Sequence, residues 1–306
     1  MEKIKIITVS TADLPKDIID KYDIEVLPLV VNIGEKSYLD GVDIDTHKLL
    51  EIMDKDGIYP TTTQVNPQRH IECFKKYLEQ GYKILMISMS SKMSGTYQSA
   101  CMAKDVLESE DIAIVDSLSV TAGLGVLVLK ACRLKEAGQG LRKIEKEIID
   151  TIPHVKGVIA FSRLDNLIKG GRLSKTAGTI GNILGIKLLL GIVDGEIVVV
   201  QKLRGTKKTV KSILNYVNKM GNSDLETSIL LYIGENEIRE LLEGNYKENE
   251  KIIECEAGCV VGTHTGSGVC GIFFIEKFDK QMTEKQLSDS RFQVPEKQVA
   301  DKQVAR

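Results

Sequence analysis

The most constraining feature of this sequence is the alternation of short apolar runs with longer amphipathic segments. Residues 4–9 have the pattern of a buried strand, and the runs at 83–89 and 112–117 repeat it, each followed by a segment with helical spacing. Strands and helices that alternate through short connections are typical of α/β domains with a parallel sheet covered on both faces. We therefore predict an N-terminal α/β domain over residues 1–153, a largely parallel sheet with flanking helices.

Two connections in this half carry signals of local structure. Ser10 and Asp13 stand three residues apart ahead of Pro15, a spacing that predicts a side-chain cap on the following helix. The segment YPTTTQVNP is polar and ends in proline, so we predict a loop there, followed by another helix.

The second half of the chain has a different pattern. The strand-like runs IKLLLGIV and EIVVVQKL are joined across Asp194 and Gly195, a strong signal for an antiparallel hairpin. Helical segments and further strands follow this hairpin. We therefore predict a C-terminal mixed α/β domain over residues 154–278, with the boundary between the domains near Pro153.

Composition narrows the classes of function. Lys and Arg together number 41 against 43 Asp and Glu, which gives a formal charge of -2. The protein therefore has no overall positive potential that would attract nucleic acid, and we predict no nucleic-acid partner. The sequence shows no secretory signal pattern and no apolar run long enough to span a bilayer, so we expect a cytoplasmic location. Residues 279–306 are rich in Gln, Lys and Asp, and we predict a disordered tail there.

Hydroxyl side chains cluster where a strand-like run gives way to a helix. In SSKMSGTYQSA, residues 90–100, Ser94 and Gly95 stand at that junction, and Thr62 and Thr63 lie in the polar loop described above. Ligands of parallel sheets bind beyond the carboxyl ends of the strands, where free backbone N–H groups at helix starts favour anionic oxygen. We predict an anion site built from these hydroxyls. The alternative is that they only cap a helix and a turn.

Nucleotide-binding signatures do not fit the sequence. The phosphate-loop pattern GxxxxGK[ST] does not occur. Gly266, Gly268 and Gly271 match GxGxxG but precede a strand-like run instead of opening a βαβ unit. We therefore predict no nucleotide cofactor.

A second hypothesis for the segment CEAGCVVGTHTGSGVC is a small zinc-binding module. Its candidate ligands are Cys255, Cys259, His264 and Cys270, at spacings compatible with tetrahedral zinc. However, Cys255 ends one strand-like run and Cys270 begins another, and free cysteine often packs as a small buried hydrophobe. We predict reduced, buried thiols and no metal site.

Two cationic side chains are candidates for contact with an anion. His264 lies in a glycine-dense loop where it can donate to a carboxylate or phosphate, or can simply pack against its own loop. Arg172, in KGGRLS, suits a phosphate or an acidic partner surface, or is an exposed arginine after a turn. The apolar segment 176–193 is typical of core but also suits the wall of an apolar tunnel. The remaining histidines lie in surface-like sequence: His47, His70 and His154.

Taken together, these motifs resemble the DegV family, the fatty-acid-binding proteins that serve bacterial fatty acid kinase. The resemblance runs in family order up to Lys277. Its motifs are STADLP, PLVVNIGEKSYLDGVDI, PTTTQ, SSKMSGTYQSA, VDSLSVTAGLG, LIKGGRLS, the Asp-Gly hairpin and VVGTHTGSGVCGIFF.

The resemblance implies an enclosed long-chain fatty acid whose carboxylate is held by hydroxyls. Ser94 matches the family's carboxylate-binding serine, with Gly95 beside it. Thr62 matches the threonine of the family's Thr-Ser-Gln loop, and Thr63 stands in place of its serine. His264 matches the histidine of the Gly-Thr-His-Thr-Gly motif, close to the carboxylate.

The resemblance also implies a protein partner. A separate kinase subunit transfers a phosphoryl group from ATP to the bound carboxylate, and Arg172, Arg204 and His264 match positions associated with that kinase. Phosphoryl transfer needs magnesium and nucleotide ligands that this sequence does not supply. We therefore predict a substrate-presenting subunit that is not an enzyme on its own, that needs no cofactor, and that serves phospholipid synthesis with transient contact to a membrane.

One enzymatic alternative stays open from the sequence. Ser94 could act as the nucleophile of an acyl hydrolase or acyltransferase, with His264 as base and Asp116 as its orienting acid. The segment SSKMSG is not the G-x-S-x-G elbow of α/β hydrolases, which weakens this alternative.

Besides Thr63, three positions depart from the family pattern. Val9 precedes Ser10 where the family has aspartate, Val65 replaces the proline of the Thr-Ser-Gln-Pro loop, and Leu188 replaces another usual proline. The proline changes alter backbone restriction, and Val9 removes a polar group from the expected site. These departures affect the expected chain preference or coupling to the kinase.

Overall fold

The computed structural model describes residues 2–173, 185–221, 228–235, 237–246 and 252–278. The predicted tail at 279–306 and the first half of the apolar segment 176–193, up to residue 184, lie outside these residues.

The described chain alternates between strands and helices, as the sequence predicts. The strands are β1 (Ile4–Val9), β2 (Glu25–Leu27), β3 (Val30–Ile33), β4 (Lys36–Leu39), β5 (Thr61–Thr63), β6 (Lys83–Ser88), β7 (Ile112–Asp116), β8 (Val155–Phe161), β9 (Ile186–Val193), β10 (Glu196–Arg204), β11 (Ile229–Ile233), β12 (Ile253–Glu256) and β13 (Val269–Ile275). The helices are α1 (Lys16–Tyr22), α2 (Thr46–Asp56), α3 (Pro67–Leu78), α4 (Thr96–Leu107), α5 (Ala122–Glu136), α6 (Leu141–Thr151), α7 (Asp165–Lys169), α8 (Thr206–Met220), α9 (Glu237–Tyr246) and α10 (Cys259–Thr265).

The first sheet is parallel throughout, in the order β2-β1-β6-β7, which confirms the predicted N-terminal α/β architecture. All six residues of β1 are buried, because helices cover both faces of the sheet. α3 shows how local sequence positions these helices. Asn66 accepts a hydrogen bond from the backbone N–H of Arg69 at its start, and Pro67 occupies the first helical position.

The cap predicted from Ser10 and Asp13 is wrong. A 3-10 turn spans Ser10–Ala12, and α1 begins at Lys16 without a side-chain cap. Both side chains serve tertiary contacts instead. The Ser10 hydroxyl accepts a hydrogen bond from the Leu29 N–H, and the Asp13 carboxylate accepts one from the Gly258 N–H.

A second, smaller sheet lies beside the first. Its antiparallel strands have the order β4-β3-β5, and β5 consists of the threonines that the sequence placed in a polar loop. The loop prediction is therefore wrong at 61–63. Threonine is a good strand former, and pairing with β3 provides partners for its backbone that the local sequence did not reveal.

The third sheet belongs to the second half of the chain and has the order β10-β9-β8-β13-β11-β12. Only β11 and β12 pair in parallel among its described strands, so the predicted mixed α/β architecture is confirmed. The predicted hairpin is also present. Asp194 and Gly195 both have positive φ, as a type I′ turn requires.

Two helices join the halves of the molecule. α5 is buried along most of its length and packs on one side against β1 and β6, and on the other against β8, β11 and β13. α10 comes from the second half but packs against α2, β3 and β5 of the first half. The 3-10 turn Ile152–His154 joins α6 to β8, where the predicted domain boundary falls.

None of the described helices combines the length and apolar character needed to cross a membrane.

Candidate functional site

A cavity of about 540 Å³ lies between the first sheet and the inner face of the third sheet. Its walls are mainly apolar and include Met89, Val120, Ile159, Phe161, Leu190 and Phe273. The lining also contains six candidates from the sequence: Thr62, Thr63, Ser94, Gly95, Arg172 and His264. The cavity is therefore amphipathic, with a volume in the usual range for sites that enclose small molecules.

Thr62 and His264 meet although 202 residues separate them. The Thr62 Oγ1 atom lies 2.9 Å from His264 Nε2, and the other ring nitrogen, Nδ1, is buried without a hydrogen-bond partner. Burial lowers the pKa of His264 to about 4, and the positive charge of Arg172 acts in the same direction. The imidazole is consequently neutral near pH 7.

The position of His264 is fixed by the way α10 is held. At the start of this helix, the Asp13 carboxylate accepts from Gly258 N–H at 2.8 Å, and Asp40 accepts from Cys259 N–H at 2.7 Å. Burial raises the pKa of Asp13 to about 7 and also raises that of Asp40. At the other end, Gly170 leaves room for the imidazole, since a Cβ there would lie 2.2 Å from Nδ1.

Ser94 stands at the junction that the sequence singled out, just before α4. Its Oγ lies 2.9 Å from the Thr96 Oγ1 and accepts from the Thr96 N–H at 3.3 Å. Gly95 allows β5 to approach this junction closely, because a Cβ there would lie 2.1 Å from the Gln64 Oε1. Gln64 in turn donates to the Ser99 hydroxyl at 3.0 Å, which ties the end of β5 to α4.

The remaining predicted site residues differ in position. Thr63 lines the cavity, but its hydroxyl already accepts from Asn32 Nδ2 at 3.0 Å. Arg172 is exposed at the edge of the cavity and donates from Nε to the Met93 carbonyl at 3.3 Å. Arg204 ends β10, seven residues beyond the cavity-lining Ile197, or roughly 23 Å along an extended strand. The structure therefore brings Arg172 to the cavity and leaves Arg204 apart from it.

The cysteines of the zinc hypothesis lie in three different apolar clusters: Cys259 in the core of the first sheet, Cys255 on the inner face of the third sheet and Cys270 on its outer face. The Cys255 thiol donates to the Asp13 carbonyl, and the Cys259 thiol donates to the Ile44 carbonyl at 3.3 Å. Burial raises the pKa of all three thiols, which keeps them protonated. Within the described residues no group of three or more potential ligands is arranged to hold a metal.

The groups of the hydrolase hypothesis have other partners. His264 Nε2 pairs with Thr62, and Ser94 pairs with Thr96. Asp116 accepts backbone hydrogen bonds from Ser91 and Leu118, both at 3.1 Å, and thereby stabilises the turn after β7. In the described structure, Ser94, His264 and Asp116 therefore do not form a hydrogen-bonded series of nucleophile, base and acid.

Several polar residues of the cavity were not selected from the sequence, among them Thr11, Gln64, Asn66 and Thr121. Thr121 is buried and has a positive φ of 53°. It follows β7 in the way that Ser94 follows β6, so the rule that selected Ser94 would also have selected Thr121.

The departures from the family pattern other than Thr63 are buried core residues. Val9 and Val65 belong to the core of the first sheet, and Leu188 packs in the cluster on the inner face of the third sheet. The described cavity lining does not include them.

His70 is buried, so the expectation of a surface histidine at this position is wrong. It packs edge-on against Phe74, and burial lowers its pKa to about 4.

The fold and the cavity define a class of protein, namely two-part α/β proteins with a mainly apolar cavity that is also lined by hydroxyls and a histidine. Comparison with known families identifies it further. The family model described as "Uncharacterised protein, DegV family" matches residues 3–277 of the sequence. The chain therefore belongs to the DegV family.

Relatives of this family resemble the chain over nearly its whole length. A DegV domain-containing protein of Clostridium acetobutylicum is 60% identical over 279 residues, covering 91% of this chain and 100% of the relative. A DegV family protein of Thermus thermophilus, whose structure is described as showing fatty acid binding, is 27% identical in sequence with a TM-score of 0.83. The match covers 90% of this chain and 100% of the Thermus chain. DegV of Bacillus subtilis, described as a fatty acid binding protein, is 26% identical with a TM-score of 0.78 and the same coverage.

Proposed function

We propose that this protein binds a long-chain fatty acid, with the alkyl chain in the cavity and the carboxylate beside Thr62, Ser94 and His264. The observation that carries this proposal is one cavity whose mainly apolar lining also contains the Thr62–His264 pair and Ser94. The fatty acid binding of the Thermus and Bacillus relatives supports it.

The two parts of the ligand suit the two parts of the cavity. Each buried methylene contributes about 0.8 kcal/mol, so a long chain supplies ample binding free energy. A carboxylate removed from water needs hydrogen-bond donors in exchange. The hydroxyls of Thr62 and Ser94 are neutral donors, and they compensate without the stronger hold of a buried arginine.

The neighbouring side chains set the direction of these hydroxyls. When His264 donates from Nε2–H to the Thr62 oxygen, the hydroxyl proton of Thr62 is free to point at the carboxylate. Ser94 accepts from the Thr96 N–H, and a second donation from the Thr96 hydroxyl leaves the Ser94 proton for the ligand. His264 thus acts as a neutral positioning group.

We also propose that the bound carboxylate is presented to a separate ATP-dependent kinase in the cytoplasm. A carboxylate oxygen attacks the γ-phosphorus of ATP, the bond to the bridging oxygen breaks, and ADP leaves, which gives an acyl phosphate. The kinase brings ATP and magnesium. Exposed Arg172, at the edge of the cavity, and the more distant Arg204 are the proposed contacts for this partner. The acyl phosphate is an activated acyl donor suited to phospholipid synthesis.

Bound lipid can be measured directly. Protein purified without amphiphiles is denatured and extracted with organic solvent, and the fatty acids are quantified by mass spectrometry. We expect near-stoichiometric fatty acid in the unmodified protein and less in Ser94→Ala. The matched control is Ser212→Ala, which removes a hydroxyl on α8 that bonds to Gln201, away from the cavity. An empty unmodified protein that also fails to take up added fatty acid would contradict the proposal.

A further inference from the structure

A second cavity, of about 340 Å³, adjoins the first one. Phe273 and Ile192 line both cavities and therefore form the wall between them. The second cavity lies at the beginning of β8, around Val155 and Gly157, whereas Phe161, at the end of β8, lines only the first. From Phe161 to Gly157 the strand covers roughly 13 Å.

The ring of Phe273 is fixed by two glycines. Phe273 is directly opposite Gly157 across the antiparallel pair of β13 and β8, and a Cβ at Gly157 would lie 2.2 Å from the Phe273 Cδ1. A Cβ at Gly123 on α5 would lie 3.1 Å from the same atom. The ring is buried, with 2% of its surface exposed. Bare backbone on both sides thus lets the aromatic ring fill the space between sheet and helix.

The two cavities differ in chemistry. Near the wall, Ile159 and Leu190 make the first cavity apolar. Beyond the wall, the Glu276 carboxylate pairs with Lys156 at 3.1 Å and with His154 at 3.0 Å, and all three residues line the second cavity. The buried residue Ser119 also lines it. Phe273 therefore separates a mainly apolar compartment from a mixed one that contains charged side chains.

We propose that Phe273, with Ile192 beside it, stops the methyl end of the acyl chain and sets the longest chain that the protein binds. This inference rests on the fatty-acid binding proposed above. A chain that enters beside Thr62 and follows the inner face of the third sheet meets the Phe273 ring. A longer chain has to displace a ring held between two backbone segments, or fold back within the first cavity. Removal of the ring joins the two cavities.

The test compares chain-length profiles. Affinities of the saturated fatty acids from lauric to behenic acid are measured by calorimetry for the unmodified protein, Phe273→Leu and Phe273→Ala. The leucine variant is the milder change and carries the test if the alanine variant does not fold. Phe274→Leu is the matched control, because Phe274 is the next residue of β13, is buried on the outer face of the third sheet and lines neither cavity.

We expect the affinity of the unmodified protein to rise about fourfold per added methylene, the equivalent of about 0.8 kcal/mol, until the chain reaches the wall, and then to fall. Both Phe273 variants should move this maximum to longer chains, and Phe274→Leu should leave it in place. Fatty acid binding with the same maximum in all four proteins would overturn the assignment of Phe273 and leave fatty-acid binding intact. Failure of the unmodified protein to bind any member of the series would overturn both.

Discussion

Replacement of Thr62 by valine tests the polar end of the cavity with little change in shape. Valine keeps the branched side chain that suits β5 and removes only the hydroxyl that joins His264 to the proposed carboxylate. A hydrogen bond to a charged group contributes about 1.5–3 kcal/mol. Loss of this bond should therefore weaken fatty acid binding by about ten- to a hundredfold.

The assay is displacement of a fluorescent fatty acid, with thermal unfolding measured in parallel. Thr61→Val is the matched control, since Thr61 is the preceding residue of β5, is exposed and does not line the cavity. The control should bind like the unmodified protein, and both variants should keep its unfolding temperature within a few degrees. Equal affinities for Thr62→Val, Thr61→Val and the unmodified protein would refute the role of Thr62 as carboxylate donor.

The remaining predictions concern the surroundings of this site. The pKa of His264 should be about 4 in the ligand-free protein and higher with fatty acid bound, as nuclear magnetic resonance of the ring nitrogens can show; titration near 6.5 in the ligand-free protein would disagree. Gly170→Ala should reduce fatty acid affinity, because its Cβ would displace the His264 ring, and a crystal structure with the ring unmoved would contradict this explanation. Arg172→Glu should slow acyl phosphate formation with the cognate kinase even when fatty acid saturates the protein, and an undiminished rate would remove Arg172 from the kinase contact. The Asp13 pKa is about 7 in the folded protein against an ordinary 3.8, so the free energy of unfolding should fall as pH rises from about 4 to about 7. Chemical denaturation of Asp13→Asn should show a smaller fall over this range. An equal fall in the variant and the unmodified protein would contradict the raised pKa.

Much of the architecture could be predicted from the sequence. The alternation of apolar runs with amphipathic segments indicated the parallel sheet, and Asp194 with Gly195 indicated the hairpin, because both signals are local. The hydroxyls after β6 were recognisable for the same reason. Their position at the end of a parallel strand follows from the general geometry of α/β folds.

Features that depend on distant residues were not predictable. Thr62 was expected in a loop but lies on a strand, because its partner strand is made by residues around 31. The local spacing of Ser10 and Asp13 predicted a cap, yet Asp13 receives its hydrogen bond from Gly258, 245 residues away. The role of Gly170 is equally invisible, since only the folded chain shows that His264 occupies the space a side chain would take.

A crystal structure of the protein with a bound fatty acid tests the central claim most directly. Our account predicts a carboxylate oxygen at about 2.5–3.0 Å from Thr62 Oγ1 and Ser94 Oγ, with the chain running toward Phe273. A fatty acid bound in the reverse direction, with its carboxylate beside Lys156 in the second cavity, would contradict the account.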